Sequence, residues 1–78
     1  MSITLLEYFK IILQKVSFDA KLFEKELRKA LSQLIKADLK LLRKWCLEQF
    51  GNKYKQIISK VFSTIRFRKP KLAIVSVN

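Results

Sequence analysis

Residues 39–51 read LKLLRKWCLEQFG, and this stretch decides the predicted fold. At 100° per residue its apolar side chains cover about two thirds of a helix circumference and leave one narrow polar strip. A helix that is apolar on so many sides is expected to lie at the centre of a helical domain. Gly51 follows at once, where a left-handed residue commonly closes a helix, so the sequence predicts a helix over 39–50 that stops at Gly51. The apolar members are Leu39, Leu41, Leu42, Trp45, Cys46, Leu47 and Phe50.

Residues 53–65, KYKQIISKVFSTI, carry the cleanest helical pattern in the chain. Their apolar side chains recur at i, i+3, i+4, i+7, i+8 and i+11, which is one face of an α-helix. We therefore expect a separate fourth helix over 53–65. Its predicted buried stripe is Tyr54, Ile57, Ile58, Val61, Phe62 and Ile65.

Two further helices precede the central one, over residues 3–16 and 20–35. Both ranges show an apolar stripe at helical spacing. Asp19 is a predicted N-cap of the second helix, with Phe18 and Phe23 spaced as a hydrophobic staple across it. Asp38 is the corresponding predicted cap of the third. The sequence thus predicts an all-α domain over residues 1–65, a small bundle of about four helices over approximately 3–16, 20–35, 39–50 and 53–65.

Residues 66–78 form a basic C-terminal extension in this scheme. Four of the six residues in 66–71 are cationic, and Pro70 ends any helix at or before Lys69. The following LAIVSV, residues 72–77, is strand-like, although the chain offers no second strand to pair with it. We expect this segment to be irregular, or to pair with another chain.

Composition excludes most familiar catalytic sites. The 78 residues include one Gly, one Cys and no His. A P-loop and a dinucleotide-binding fingerprint need more glycines, and a four-ligand zinc site and a His-dependent triad need more cysteines or histidines, so the sequence contains none of these sites. Cys46 is the single thiol, and on the most apolar helix it is expected to be an inert core residue, like its neighbour Trp45. The sequence predicts no catalytic residue, cofactor or metal, and a protein that acts by binding.

The chain contains no stretch of about 20 apolar residues, so no membrane span is predicted. The N-terminal MSITLLEYFK lacks a basic region, which argues against a secretory signal. A lone Cys cannot form an internal disulfide. These features together favour a reducing compartment, most simply the cytoplasm.

The net charge of +11 is concentrated in two places. All six acidic residues lie at or before Glu48, so residues 49–78 carry +7 without any acid. The second concentration is a stripe of cations within about 100° on the polar side of the second helix. Clustered like charges repel, and phosphate binding is one reason for them to persist. The predicted nucleic-acid-binding residues are Lys21, Lys25, Arg28 and Lys29 on that stripe, and Arg66, Arg68, Lys69 and Lys71 on the extension.

Six phosphate contacts would give log K a slope of about −5 against log salt on duplex DNA. Such binding positions a protein without reading bases, so the sequence does not separate DNA from RNA. A helix-turn-helix fits poorly because the recognition helix would be the most apolar one. Phe67 is expected to pack, or else to stack on a base.

Four alternatives remain open. The cations can simply keep a small apolar-rich protein soluble, or they can bind an acidic protein surface. Residues 53–66 have the pattern of a basic amphipathic helix on anionic lipid. The fourth is an interaction subunit or adaptor, because Ile3 and Ile11 point away from the first helical stripe and residues 72–77 could add to a partner's sheet or pair with a second copy as a homodimer.

Overall fold

The computed structural model describes residues 2–65, which form three α-helices: α1 (Leu5–Lys15), α2 (Ala20–Gln33) and α3 (Lys36–Phe62). The all-α prediction is confirmed, and this range contains no strand. The predicted bundle of about four helices is not confirmed, because the third and fourth predicted helices are one element. The predicted extension 66–78, with its strand-like residues 72–77, lies outside the described range.

A capping box begins α1. The Thr4 hydroxyl accepts a hydrogen bond from the Glu7 amide at 3.1 Å, and the Glu7 carboxylate accepts one from the Thr4 amide at 3.2 Å. This reciprocal pair satisfies two amides that a helix leaves without partners. It places the first helical residue at Leu5, two residues later than the predicted start.

The predicted N-cap of α2 is confirmed. A carboxylate oxygen of Asp19 accepts hydrogen bonds from the Lys21 and Leu22 amides at 2.9 and 3.2 Å. The predicted hydrophobic staple does not enclose both rings, because Phe18 is 75% exposed while Phe23 is fully buried. The cap side chain therefore sets the start of α2 without an enclosed aromatic pair across it.

The start of α3 was predicted wrongly. The helix begins at Lys36 and its N-cap is Ile35, which makes no side-chain capping bond and is 68% exposed. Asp38 is the third residue of the helix, where its negative charge favours the positive end of the helix dipole. The predicted second helix extended to Ile35, but α2 ends at Gln33 and only two residues separate it from α3.

Gly51 does not end the third helix, contrary to the prediction. α3 continues through it and bends three residues later at Tyr54, whose φ of −124° and ψ of 26° are not helical. A continuous helix keeps Phe50 and Tyr54 one turn apart on one face, where both rings meet Phe23, at centroid distances of 5.1 and 4.6 Å. The packing of these two aromatic rings against α2 thus favours a helix that continues through Gly51 over one that ends there.

The core lies between α2 and the two segments of α3, and α1 covers it. In α3, Leu39, Leu42 and Cys46 are buried before the bend, and Tyr54, Ile58, Val61 and Phe62 are buried at or after it. The predicted stripe of residues 53–65 is buried or half-buried throughout. The stretch 39–50 is less enclosed than predicted, with Leu41 53% exposed. The buried core is Phe9, Leu13, Phe23, Leu27, Ala30, Leu34, Leu39, Leu42, Cys46, Tyr54, Ile58, Val61 and Phe62.

Candidate nucleic-acid interface

The four predicted cations of α2 are all exposed and lie together on the side of the helix opposite its buried residues. With Glu24 and Ser32 they line a shallow, open groove along the helix surface. We call this surface the basic face of α2, defined by Lys21, Lys25, Arg28 and Lys29. The amphipathic pattern of α2 produces it directly, because Phe23, Leu27 and Ala30 turn the remaining positions outward.

Glu24 holds two cations at one edge of the basic face. Its carboxylate accepts hydrogen bonds from Arg28 Nε at 3.1 Å and Nη2 at 2.9 Å, and the Lys60 ammonium of α3 lies 3.3 Å from the same oxygen. These donors, Arg28 first, hold the pKa of the Glu24 carboxyl below its ordinary value against a smaller opposing effect of burial. Glu24 and Arg28 stand at i and i+4, the spacing at which opposite charges meet on a helix surface.

Lys60 is a member of this surface that sequence reasoning did not include among the binding residues. It belongs to the last turn of α3, 36 positions away from Glu24 in the sequence. Helical periodicity identifies Lys60 only as exposed, and it says nothing about which helix lies beside it. The tertiary contact with Glu24 is what joins Lys60 to the basic face.

The cations of the basic face differ in how far they are neutralised. Arg28 is paired with Glu24, and Lys29 approaches Glu26 at 3.4 Å. Among the ion pairs within residues 2–65, none involves Lys21 or Lys25. These two lysines stand one helical turn apart and are therefore the most available positive charges of the groove.

The other four predicted binding residues, Arg66, Arg68, Lys69 and Lys71, lie outside the described residues. The last described residue, Ile65, lies five positions after Lys60, whose ammonium contacts Glu24 at the edge of the basic face.

Outside the basic face, the described residues hold no other ion pair. Burial raises the pKa of the Cys46 thiol to about 12, so the thiol is protonated at neutral pH. Lys44 and Glu48, which are also four positions apart on a helix, form no ion pair within residues 2–65. In the same range no three acidic or thiol side chains converge as metal ligands, and no helix combines the length and apolarity that a bilayer crossing requires.

No protein-family model matches this chain, and comparison with curated proteins and with solved structures gave no match.

Proposed function

We propose that the protein binds nucleic acid through backbone phosphates, using the basic face of α2 and the basic extension that follows α3. The observation that carries the proposal is the placement of Lys21 and Lys25, exposed one turn apart in an open groove with no acidic partner within residues 2–65. Arg28, Lys29 and Lys60 adjoin them.

The electrostatics of the groove support an anionic ligand. Five cations, counting Lys60, meet only the carboxylates of Glu24 and Glu26, which leaves a local charge of +3. Like charges one turn apart on a helix are mutually destabilising by about 0.2–0.5 kcal/mol per pair. A polyphosphate strand relieves that repulsion and releases its own condensed counterions, which is the main driving force of non-specific nucleic-acid binding.

The cations that line the groove are suited to contacts with phosphates and not to reading the base sequence of a duplex. Lysine and arginine side chains that contact phosphates fix a protein's position on the strand but do not discriminate among bases. We therefore propose that binding is independent of base sequence. Both DNA and RNA are ligands in this proposal, because both carry the backbone phosphates that the cations contact.

Fluorescence anisotropy with generic labelled DNA and RNA, between about 50 and 200 mM salt, tests the proposal. The variant Lys21→Gln/Lys25→Gln removes the two available cations, and we expect its salt slope to fall by about 2. Lys40→Gln/Lys44→Gln is the matched control, because it is also an exposed lysine pair one turn apart, on α3.

Absence of binding near 50 mM salt, or an affinity independent of salt, would contradict the proposal. An equal loss in the α3 control would assign the binding to net charge rather than to the basic face. Truncation after Ile65 measures the share of the extension separately.

The second candidate is an interaction subunit whose residues 72–77 dock on a partner chain or on a second copy. Ile3 and Ile11 are 51% and 43% exposed, which agrees with their predicted position outside the α1 stripe. Light scattering on the full chain and on a chain ending at Ile65 distinguishes self-association: an unchanged mass removes the homodimer paired through residues 72–77.

A further inference from the structure

Phe18 has the greatest exposure of the large apolar side chains in the described range. Its ring is 75% exposed, although the sequence pattern places it where a hydrophobic staple would bury it. A phenylalanine left in water forgoes a large apolar contribution to folding. Single exposed apolar residues are common on proteins, so the position of this ring has to be weighed with its surroundings.

The turn that carries Phe18 is tied to the bend of α3. The Ser17 carbonyl accepts a hydrogen bond from the Tyr54 hydroxyl at 2.6 Å and another from the Lys53 ammonium at 3.1 Å. Asp19 on the other side of Phe18 caps α2. The backbone on both sides of Phe18 is thus held, and the ring is presented outward from a fixed turn rather than from a loose loop.

Two lysines lie close to the backbone of Phe18. The Lys53 ammonium contacts the carbonyl of the peptide that joins Ser17 to Phe18. Lys21, the first cation of the basic face, is three residues along the chain, so its Cα lies within about 11 Å of that of Phe18. An exposed aromatic ring therefore stands at the amino-terminal end of a row of cations that continues along α2.

We propose that Phe18 is a stacking platform for an unpaired base, so that the preferred ligand of the basic face is a single-stranded nucleic acid. This combination, an aromatic side chain beside a cationic track, is the common solution for single-strand binding, because every base offers a π-face to stack on. In a duplex the bases are already stacked on one another and remain out of reach. The inference rests on the proposed phosphate binding and names the class of strand.

The test compares two strands of equal charge: an oligothymidylate of about 12 nucleotides, and an abasic strand with the same number of phosphates. We expect the protein to prefer the strand with bases by about 5- to 150-fold, the range that corresponds to one stacked base. Phe18→Ala should reduce the preference to about one, and Phe18→Trp should restore it. Tyr8→Ala is the matched control, since Tyr8 is another exposed aromatic, 47% exposed on α1, and it should keep the preference.

The outcomes separate this inference from the proposed function. Equal, salt-dependent affinity of the unaltered protein for both strands overturns the stacking role and leaves phosphate binding in place. No affinity for either strand removes the proposed function itself. Vesicles containing phosphatidylserine are the third arm, and Phe18-dependent binding to them without any base preference would overturn the proposal and assign the ring to a lipid surface.

Discussion

The helices α2 and α3 pack on each other, yet they are specified in different ways. α2 begins where the Asp19 side chain caps it and buries a single stripe of residues along its length. α3 begins at Lys36 after an N-cap, Ile35, that makes no side-chain capping bond, and it passes through Gly51 and bends at Tyr54. Local sequence signals therefore account for α2, whereas contacts with another helix account for the course of α3.

The two sides of α2 are expected to serve different purposes, one for the stability of the fold and the other for the proposed binding. The inner side of α2 supplies core residues that meet both segments of α3, and its outer side supplies the basic face. Only Glu24 and Lys60 connect the outer side of α2 with α3 by an ion pair in the part of the chain that the structure describes. Changes in the core should alter folding, and changes on the outer side should alter binding.

The largest effect is expected at the point where α2 meets α3. Phe23→Ala removes a fully buried ring that contacts Phe50 and Tyr54, and it should lower the free energy of unfolding by about 3–5 kcal/mol. Leu22→Ala, at the neighbouring and 37% exposed position, should cost less than about 1 kcal/mol. Urea denaturation measures both, and similar losses would mean that Phe23 does not hold the helices together.

The caps of the two helices should respond unequally. Asp19→Ala removes the acceptor of two amide hydrogen bonds and should destabilise the protein by about 1 kcal/mol. Asp38→Ala removes only a favourable interaction with the helix dipole, worth a few tenths of a kcal/mol, roughly 0.3. Thermal unfolding of the pair decides the matter, because a larger loss at Asp38 would show that it caps α3 after all.

Gly51→Ala tests the continuity of α3 and should be stabilising. A Cβ at Gly51 meets no atom within 4 Å, and the residue lies inside the helix rather than in the left-handed region. Alanine in such a position lowers the entropy of the unfolded chain and favours helix by about 0.4–1 kcal/mol. Chemical denaturation that shows a loss of stability instead would restore the glycine stop that the sequence pattern predicted.

A modest effect on binding is expected for Glu24→Gln. The substitution releases Arg28 and Lys60 to meet phosphate, so the affinity for nucleic acid should rise by up to about 5-fold, the scale of an exposed ion pair. Glu48→Gln makes the same charge change on α3 and should raise the affinity less. Anisotropy titrations compare the two, and an equal rise would assign the effect to net charge alone.

The same carboxylate predicts a pH dependence with a definite sign. Because the pKa of Glu24 is lowered in the folded protein, its contribution to stability is complete above the ordinary value of 4.5 and is lost as the pH falls through the lowered value. Unfolding curves measured below pH 4.5 should show a smaller acid destabilisation in Glu24→Gln than in the unaltered chain.

Local patterns predicted the parts of the fold that depend on neighbours in the sequence. The periodicity of residues 20–35 placed Phe23 and Leu27 inside and Lys21 and Lys25 outside, and the Asp19 cap followed from its side chain. Gly51 was misread because a glycine has similar access to helical and left-handed backbone, and only its surroundings decide between them. The two aromatic contacts on Phe23 supply that decision.

Sequence by itself determined that this chain is helical, which side of α2 is buried and which cations stand opposite, because spacing along a helix dictates these properties. Tertiary structure alone decided that α3 runs past its glycine and bends at Tyr54, and that Lys60 joins Glu24. It also decided that the turn at Phe18 is held by Tyr54 and Lys53. Each of these contacts joins residues 36 or 37 positions apart, a separation over which helical periodicity carries no information.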